Sequence, residues 1–169
     1  ELILISGDAG IGKSSIVNEL HRVLVPWRAW FAAGKFGQYK RDIPYATLAQ
    51  AFQSLIRPLL SKSEAELSRW RDALHEALDP NGLLIADLVP ELKLIIGEQA
   101  PVPELPPQGA QRRFHLVFRR FISVFTRQHP LALFLDDLQW LDAGTLDLME
   151  DLLTQPDVRH LMLLGAYRD

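Results

Sequence analysis

The residues with the clearest chemical potential form a glycine-rich stretch near the beginning of the sequence, SGDAGIGKSS at residues 6–15. Gly7, Gly12, Lys13 and Ser14 fit the spacing G-x-x-x-x-G-K-[ST] of a loop that cradles phosphate groups. Glycines let such a backbone curl so that its N–H groups converge on an anion. The lysine can reach the β- and γ-phosphates of a nucleotide, and the serine hydroxyl can bind Mg²⁺. The residues that we expect to contact the cofactor are Gly7, Asp8, Ala9, Gly10, Ile11, Gly12, Lys13, Ser14 and Ser15.

The segments on either side of this loop are predicted to place it between a strand and a helix. Residues 2–5 form a continuous apolar run, which predicts a buried parallel strand. Apolar residues then recur at helical spacing from Ile16 until Pro26 ends the helix. The loop therefore lies at a helix N-terminus, where the helix dipole favours an anion. A tight glycine turn with an exposed lysine is the alternative, and it does not account for this order of elements.

A second group of candidate residues lies in LALFLDDLQWLD, residues 131–142. Apolar residues lead directly into Asp136 and Asp137, so a buried strand is predicted to end in two carboxylates. Ligands of open parallel sheets lie beyond the carboxyl ends of the strands, where the glycine loop also lies. We expect Asp136 to hold Mg²⁺ together with Ser14, and Asp137 to orient and deprotonate an attacking water. Helix capping is the alternative role, and Asp142 is better placed to fill it.

The last predicted strand, HLMLLGAY, brings Arg168 to the same edge of the sheet. An arginine at this position can stabilise the γ-phosphate through its planar set of N–H donors. We therefore treat Arg168 as a second catalytic candidate beside Asp137. The alternative is a surface arginine without a catalytic role.

Composition limits the classes of protein to be considered. The sequence has 169 residues, 48% of them hydrophobic and 23% charged, which is typical of one globular domain. A net charge of −3 argues against a nucleic-acid partner, and the absence of cysteine excludes disulfides and thiolate metal sites. We find no membrane segment and no signal peptide, so we expect a cytoplasmic protein. Since the sequence opens inside its first strand, we expect it to be part of a longer polypeptide.

The remaining patterns predict the fold. A second strand is expected within residues 29–36, helices over 45–60 and 63–78, and a long helix from Ala110. SEAE at residues 63–66 is a capping-box pattern. Together these elements predict an α/β P-loop NTPase fold, with a doubly wound, mostly parallel sheet and flanking helices. The long separation between Lys13 and Asp136 predicts a mostly helical insertion at about residues 45–100 within a single, partial domain.

The chain resembles the AAA-like ATPase module of the STAND class of signal-transduction NTPases. It is most similar to the version found in large bacterial regulators, between a serine/threonine-kinase-like domain and a sensor histidine kinase. The segments that carry the resemblance are GDAGIGKSS, GKFGQYKRDIPYATLAQAF, PLALFLDDLQWLD and LLGAYRD. The resemblance implies that Lys13 and Ser14 belong to a Walker A motif, Asp136 to a Walker B motif, and Arg168 to a sensor-like position. The sequence departs from the family near Gly37, where an acidic residue is expected, and it lacks the next strand and the helical lid.

The resemblance implies ATP and Mg²⁺ as cofactors, and a regulatory switch that binds ATP and hydrolyses it slowly. Expected partners are neighbouring domains of the same polypeptide, of the kinase-like, sensor or histidine kinase type, and nucleotide-dependent self-association. Two alternatives stay open: a small-molecule or nucleotide kinase that uses the same loop, and a scaffold that binds ATP without hydrolysis. We expect the 169 residues alone to turn over ATP poorly, because the lid that completes such a site is not among them.

Overall fold

A parallel sheet of four strands organises the structure. The computed structural model describes residues 1–8 and 10–168, with all side chains except those of Ser14 and Val25. The strands are β1 (Leu2–Ser6), β2 (Trp30–Lys35), β3 (Leu131–Asp136) and β4 (Leu161–Tyr167). Their order in the sheet is β1-β4-β3-β2, and every neighbouring pair is parallel. The α/β class and the parallel sheet are therefore confirmed, and all four carboxyl ends lie at one edge.

Helices cover both faces of this sheet. The helices are α1 (Lys13–Leu24), α2 (Ala46–Leu59), α3 (Glu64–Leu78), α4 (Gly82–Leu88), α5 (Lys93–Ile96), α6 (Pro107–Thr126) and α7 (Ala143–Thr154). Short 3₁₀ turns occupy Val25–Trp27, Gln38–Lys40, Pro90–Leu92 and Leu138–Trp140. Among the described residues no helix combines the length and the apolar character that crossing a bilayer requires.

Successive side chains of a strand point to opposite faces of the sheet, so each residue packs against the helices on its own face. Leu131, Leu133 and Leu135 of β3 belong to the large core that α2, α3, α6 and α7 share. Ala132 and Phe134 point to the other face, where they pack against α1. Because β3 is covered on both faces, its six residues are nearly all apolar, and the polar Asp136 comes only at its end.

The large core depends on an aromatic stripe along α6. Phe118, Phe121 and Phe125 recur every three to four residues and are fully buried. Phe52 of α2 packs against the first two, with ring centroids 5.3 Å from each. These contacts hold α2 and α6 together over one face of the sheet, and α3, α4 and α5 pack outside them.

Two helix caps agree with the sequence. The Ser63 hydroxyl accepts the Glu66 N–H at 3.3 Å, and the Glu66 carboxylate accepts the Ser63 N–H at 3.4 Å, which completes the predicted capping box. The Asp142 carboxylate accepts the Thr145 N–H at 2.8 Å and caps α7. The Asp142 carboxylate is thus engaged at the helix, which leaves Asp136 and Asp137 for other roles.

One prediction about the sheet is wrong. We expected β1 to be a buried strand, but its side chains Leu2, Ile3 and Leu4 are 41%, 38% and 55% exposed. Among the described residues β1 is an edge strand whose only partner is β4. Helix α1, the helix on that face, packs on β2, β3 and β4. The position of a strand in the sheet decides its burial, and its apolar composition alone does not.

Candidate functional site

The glycine loop connects β1 to α1, as the sequence predicts. Gly7, Gly10 and Gly12 have φ angles of +151°, +82° and +100°, a region that favours glycine over residues with a side chain. The Ser15 N–H donates to the Gly12 carbonyl at 2.9 Å, so the first turn of the helix closes directly behind the loop. The first N–H groups of a helix have no hydrogen-bond partner within the helix, and those of α1 point out of its N-terminus toward the loop. This geometry fits an anion.

Lys13 is folded back over this loop. Its ammonium group donates to the Asp8 carbonyl at 2.8 Å and also to the Gly7 carbonyl. The positive charge therefore already lies inside the curl of the backbone, within reach of a phosphate that binds there. Ala9, one of the predicted loop residues, lies outside the described residues. The side chain of Ser14 is also outside the described part of the structure, so its predicted role as a Mg²⁺ ligand stays a prediction.

The parallel sheet brings distant residues to this loop. Because Lys35 ends β2, Asp136 ends β3 and Arg168 follows β4, all three lie at the carboxyl edge. They share with the loop a cleft of about 280 Å³. The residues that line the cleft are Gly10, Gly12, Lys13, Lys35, Asp136, Asp137 and Arg168. Among the loop residues predicted from the sequence, Gly7, Asp8, Ile11 and Ser15 do not line it.

Asp137 lies at the centre of the contacts in this cleft. Its backbone is left-handed (φ 57°, ψ 48°), and its N–H donates to the Asp136 carboxylate at 2.9 Å. The Asp137 carboxylate is 3.4 Å from the Lys35 ammonium group and 3.3 Å from the Arg168 guanidinium. The Gln139 side-chain amide donates to it at 3.2 Å. Three side chains from three different segments thus fix the position of one carboxylate.

These contacts shift the acidity of Asp137. Burial alone would raise the pKa of its carboxyl group, because it disfavours the charged form. The hydrogen bond from Gln139 and the charges of Lys35 and Arg168 outweigh burial and hold the pKa below its usual value. The group is therefore ionised at neutral pH and can orient a water molecule through its carboxylate oxygens, whereas the lowered pKa makes it a weaker proton acceptor while Lys35 and Arg168 pair with it.

The donor set fits Mg²⁺ better than a metal held entirely by protein. In the part of the chain that the structure describes, no cluster of three or more His, Asp or Glu side chains is arranged to hold a metal ion. Mg²⁺ commonly takes only one or two protein carboxylates and obtains its other ligands from phosphates and water. The carboxylate of Asp136, beside the phosphate-binding loop, matches that requirement.

Two residues of the site were missed by the sequence analysis, namely Lys35 and Gln139. The signal for Lys35 was present, because it ends a predicted strand at the same edge as the glycine loop. Gln139 lies in the 3₁₀ turn after Asp137, and its side-chain oxygen also accepts the Arg168 N–H at 3.4 Å. Arg168 is therefore restrained by two contacts, one through its side chain and one through its backbone.

Comparison with known proteins shows the family of this chain. Residues 1–164 match the family described as AAA ATPase domain. Hybrid signal transduction histidine kinase G of Dictyostelium discoideum is 36% identical over 151 residues, which cover 89% of this chain and 4% of that protein. Histidine protein kinase 1 of Candida albicans is 25% identical over 169 residues, which cover 90% of this chain and 7% of that protein. The chain thus spans a small part of the length of these relatives. It belongs to the AAA ATPase domain family.

Proposed function

We propose that this chain is a module that binds Mg-ATP, hydrolyses it slowly and acts as a regulatory switch within a longer signal-transduction protein. The observation that carries the proposal is the cleft in which the glycine loop meets Asp136 and Asp137. The names of the two histidine kinase relatives support a role in signalling. Within this proposal the chain is a single, partial domain of STAND type, with a helical insertion at about residues 45–100.

Each residue of the cleft has a role in this proposal. Lys13 leaves the loop carbonyls and binds the β- and γ-phosphates, for which it is already positioned. Ser14 and Asp136 hold Mg²⁺, which neutralises charge on the phosphate oxygens when it is bound. Asp137 orients the attacking water and accepts its proton. Arg168 stabilises charge on the γ-phosphoryl group.

The contacts of Asp137 supply a basis for switching. Lys35 and Arg168 both pair with Asp137 in this structure, and both line the cleft that the phosphates would enter. A bound triphosphate carries more negative charge than one carboxylate, so it competes for the two cations. Their transfer to the phosphates would free Asp137 for a water molecule. The nucleotide state is then read by the segments that carry these cations, the ends of β2 and β4.

Partners follow from the same proposal. The neighbouring domains of the same polypeptide, of the kinase-like, sensor or histidine kinase type, are the expected recipients of the signal. Nucleotide-dependent self-association is a second expected readout. Product analysis separates this function from the alternatives: a switch releases ADP and phosphate, a kinase yields a phosphorylated acceptor, and a scaffold yields no product.

The substitution Lys13→Ala tests the assignment of the site. It removes the cation that reaches the β- and γ-phosphates, so we expect Mg-dependent binding of ATP to be abolished. Isothermal titration calorimetry measures the effect. Lys93→Ala is the matched control, because Lys93 does not line the cleft and its ammonium group pairs with the exposed carboxylate of Glu98 at 3.4 Å in the helical layer. Equal affinities for wild-type protein and Lys13→Ala would overturn the phosphate-loop assignment.

A further inference from the structure

A second pocket of about 510 Å³ lies at the opposite end of the sheet from the nucleotide cleft. Trp30, which lines it, is the first residue of β2, and His129, which also lines it, shortly precedes β3. The pocket therefore opens at the amino ends of the strands, between α3 and α6. The length of β2 separates it from Lys35 by roughly 17 Å. Its volume is in the range of sites that take small molecules.

The floor of this pocket is aromatic. Trp30, Trp70 of α3 and Phe125 of α6 pack with ring centroids 5.3–5.7 Å apart. Phe125 is fully buried, whereas both tryptophans keep part of their surface accessible. Two indole rings are thus available to a ligand, and the buried phenyl ring holds them in place. A flat ring could pack against such a surface.

The rim of the pocket is cationic. Its charged side chains are Arg28, Lys62, Arg69 and Arg127 on the positive side and Glu66 on the negative side. The charge around this pocket is therefore positive, although the chain as a whole carries a net charge of −3. A helix surface usually mixes both signs, and four cations around one concave surface create a local positive potential.

The one carboxylate of the rim, Glu66, offsets these cations only in part, since its pKa is lowered first by hydrogen bonds from Ser63 and then by the charges of Lys62 and Arg69. Glu66 is committed to the cap of α3, where it accepts the Ser63 hydroxyl at 3.0 Å. Arg127 lies 3.7 Å from Glu76, but both side chains are exposed, so this pair is weak. Arg28, Lys62 and Arg69 form no ion pair within residues 1–8 and 10–168, because no carboxylate oxygen there lies within 4.0 Å of their side-chain nitrogen atoms.

We propose that this pocket binds a small anion that carries a flat aromatic or heteroaromatic ring. The ring packs against Trp30 and Trp70, and the anionic group binds the guanidinium groups of Arg69 and Arg127. A concave surface of this size favours a small ligand over an extended polymer. Nucleic-acid binding typically uses a basic stripe over a wider face, and the net charge of the chain opposes it.

Calorimetry with naphthalene sulfonate, a flat ring with one anionic group, tests this proposal. We expect saturable binding with a Kd below about 1 mM, and binding at least about tenfold weaker for inorganic phosphate or for neutral naphthalene methanol. The double substitution Arg69→Gln with Arg127→Gln should weaken the binding of naphthalene sulfonate by about tenfold or more. Both arginines are exposed, so the fold does not depend on them.

Two controls make the result specific. Arg112→Gln with Arg120→Gln removes the same charge from exposed positions of α6 outside the pocket, and should leave affinity within about twofold. Lys13→Ala should also leave it unchanged, which separates this pocket from the nucleotide cleft. Equal losses in the two double variants would overturn the proposal, since attraction would then depend on net charge alone. Tighter binding of a glutamate-rich peptide with one phenylalanine would overturn the small-ligand assignment.

Discussion

At the scale of single residues, Asp137 has an unusual environment. It combines a left-handed backbone, an almost buried side chain and three polar contacts from Lys35, Gln139 and Arg168. Asp136, one residue earlier, ends its strand and accepts the Asp137 N–H. Adjacent carboxylates repel when both are ionised, and the two cations beside Asp137 reduce that cost. The two residues are therefore equipped for different tasks.

Substitution of each carboxylate should separate these tasks. Asp137→Asn should bind Mg-ATP like wild type but lose turnover by about 100-fold or more, because the base is gone. Asp136→Asn should instead raise the Mg²⁺ concentration needed for ATP binding by about tenfold or more. Asparagine tolerates the left-handed backbone at position 137, so the first variant keeps its local conformation. Calorimetry and a phosphate-release assay measure the two effects, and identical behaviour would refute this division of roles.

The lowered pKa of Asp137 also predicts how stability depends on pH. Since the folded-state pKa lies below the unfolded value of about 3.9, ionisation of Asp137 stabilises the folded state. That contribution is fully present above the unfolded pKa and is lost as pH falls through the folded pKa. Wild type should therefore be more stable than Asp137→Asn at neutral pH, and the difference should shrink below about pH 4. Urea denaturation across pH measures this, and a gap that grows toward acid would contradict it.

At the scale of elements, the contact between β2 and α2 controls where Lys35 lies. Gly34 allows the close approach, because a Cβ atom there would lie 2.6 Å from the Thr47 carbonyl oxygen and 2.7 Å from its Cγ2 atom. Both atoms belong to the first turn of α2, one of them to the backbone. The position of the strand end, and with it the Lys35–Asp137 pair, thus depends on a residue without a side chain.

Gly34→Ala should therefore destabilise the fold by about 1–3 kcal/mol, since α2 must move away from β2. Gly37→Ala is the matched control, because its φ of −139° suits any residue and no atom lies within 4 Å of the added Cβ. We expect the control to stay within about 0.5 kcal/mol of wild type. Urea denaturation measures both free energies of unfolding. Similar losses in the two variants would show that the β2–α2 contact is not tight.

At the scale of the whole molecule, the sheet separates two sites. Its carboxyl edge gathers the nucleotide cleft, and its amino edge carries the aromatic pocket with the cationic rim. Strand β2 begins in one site and ends in the other. The large core on one face and α1 on the other hold this strand in a fixed register with β3.

The 169-residue chain by itself should hydrolyse ATP at well below about 1 s⁻¹. An arginine that meets the γ-phosphoryl charge is worth about 10³–10⁵ in rate. Of the described residues that line the cleft, Arg168 is the one arginine, and it is paired with Asp137. Phosphate release measures turnover, with Arg159→Ala as an exposed control for Arg168→Ala. Turnover in the range of ordinary enzymes would show that the pairing of Arg168 does not limit catalysis.

The sequence by itself determined the features that depend on local spacing. The glycine loop, the carboxylates at the end of β3, the capping box at Ser63 and the cap at Asp142 all lie where their patterns predicted. The parallel sheet was also predictable. When strands alternate with helices along the chain, each helix connects two strands by a crossover, and strands connected in this way run parallel. These features need only the neighbours within a few residues along the chain.

The tertiary structure alone decided which distant residues share a site. The order β1-β4-β3-β2 brings Lys35 and Arg168 onto Asp137, although long stretches of chain separate them. The same order leaves β1 exposed at an edge, against the prediction from its apolar residues. The aromatic pocket likewise forms only where α3, α6 and the start of β2 meet. Strand order and packing depend on contacts between segments far apart in sequence, and local periodicity carries no information about them.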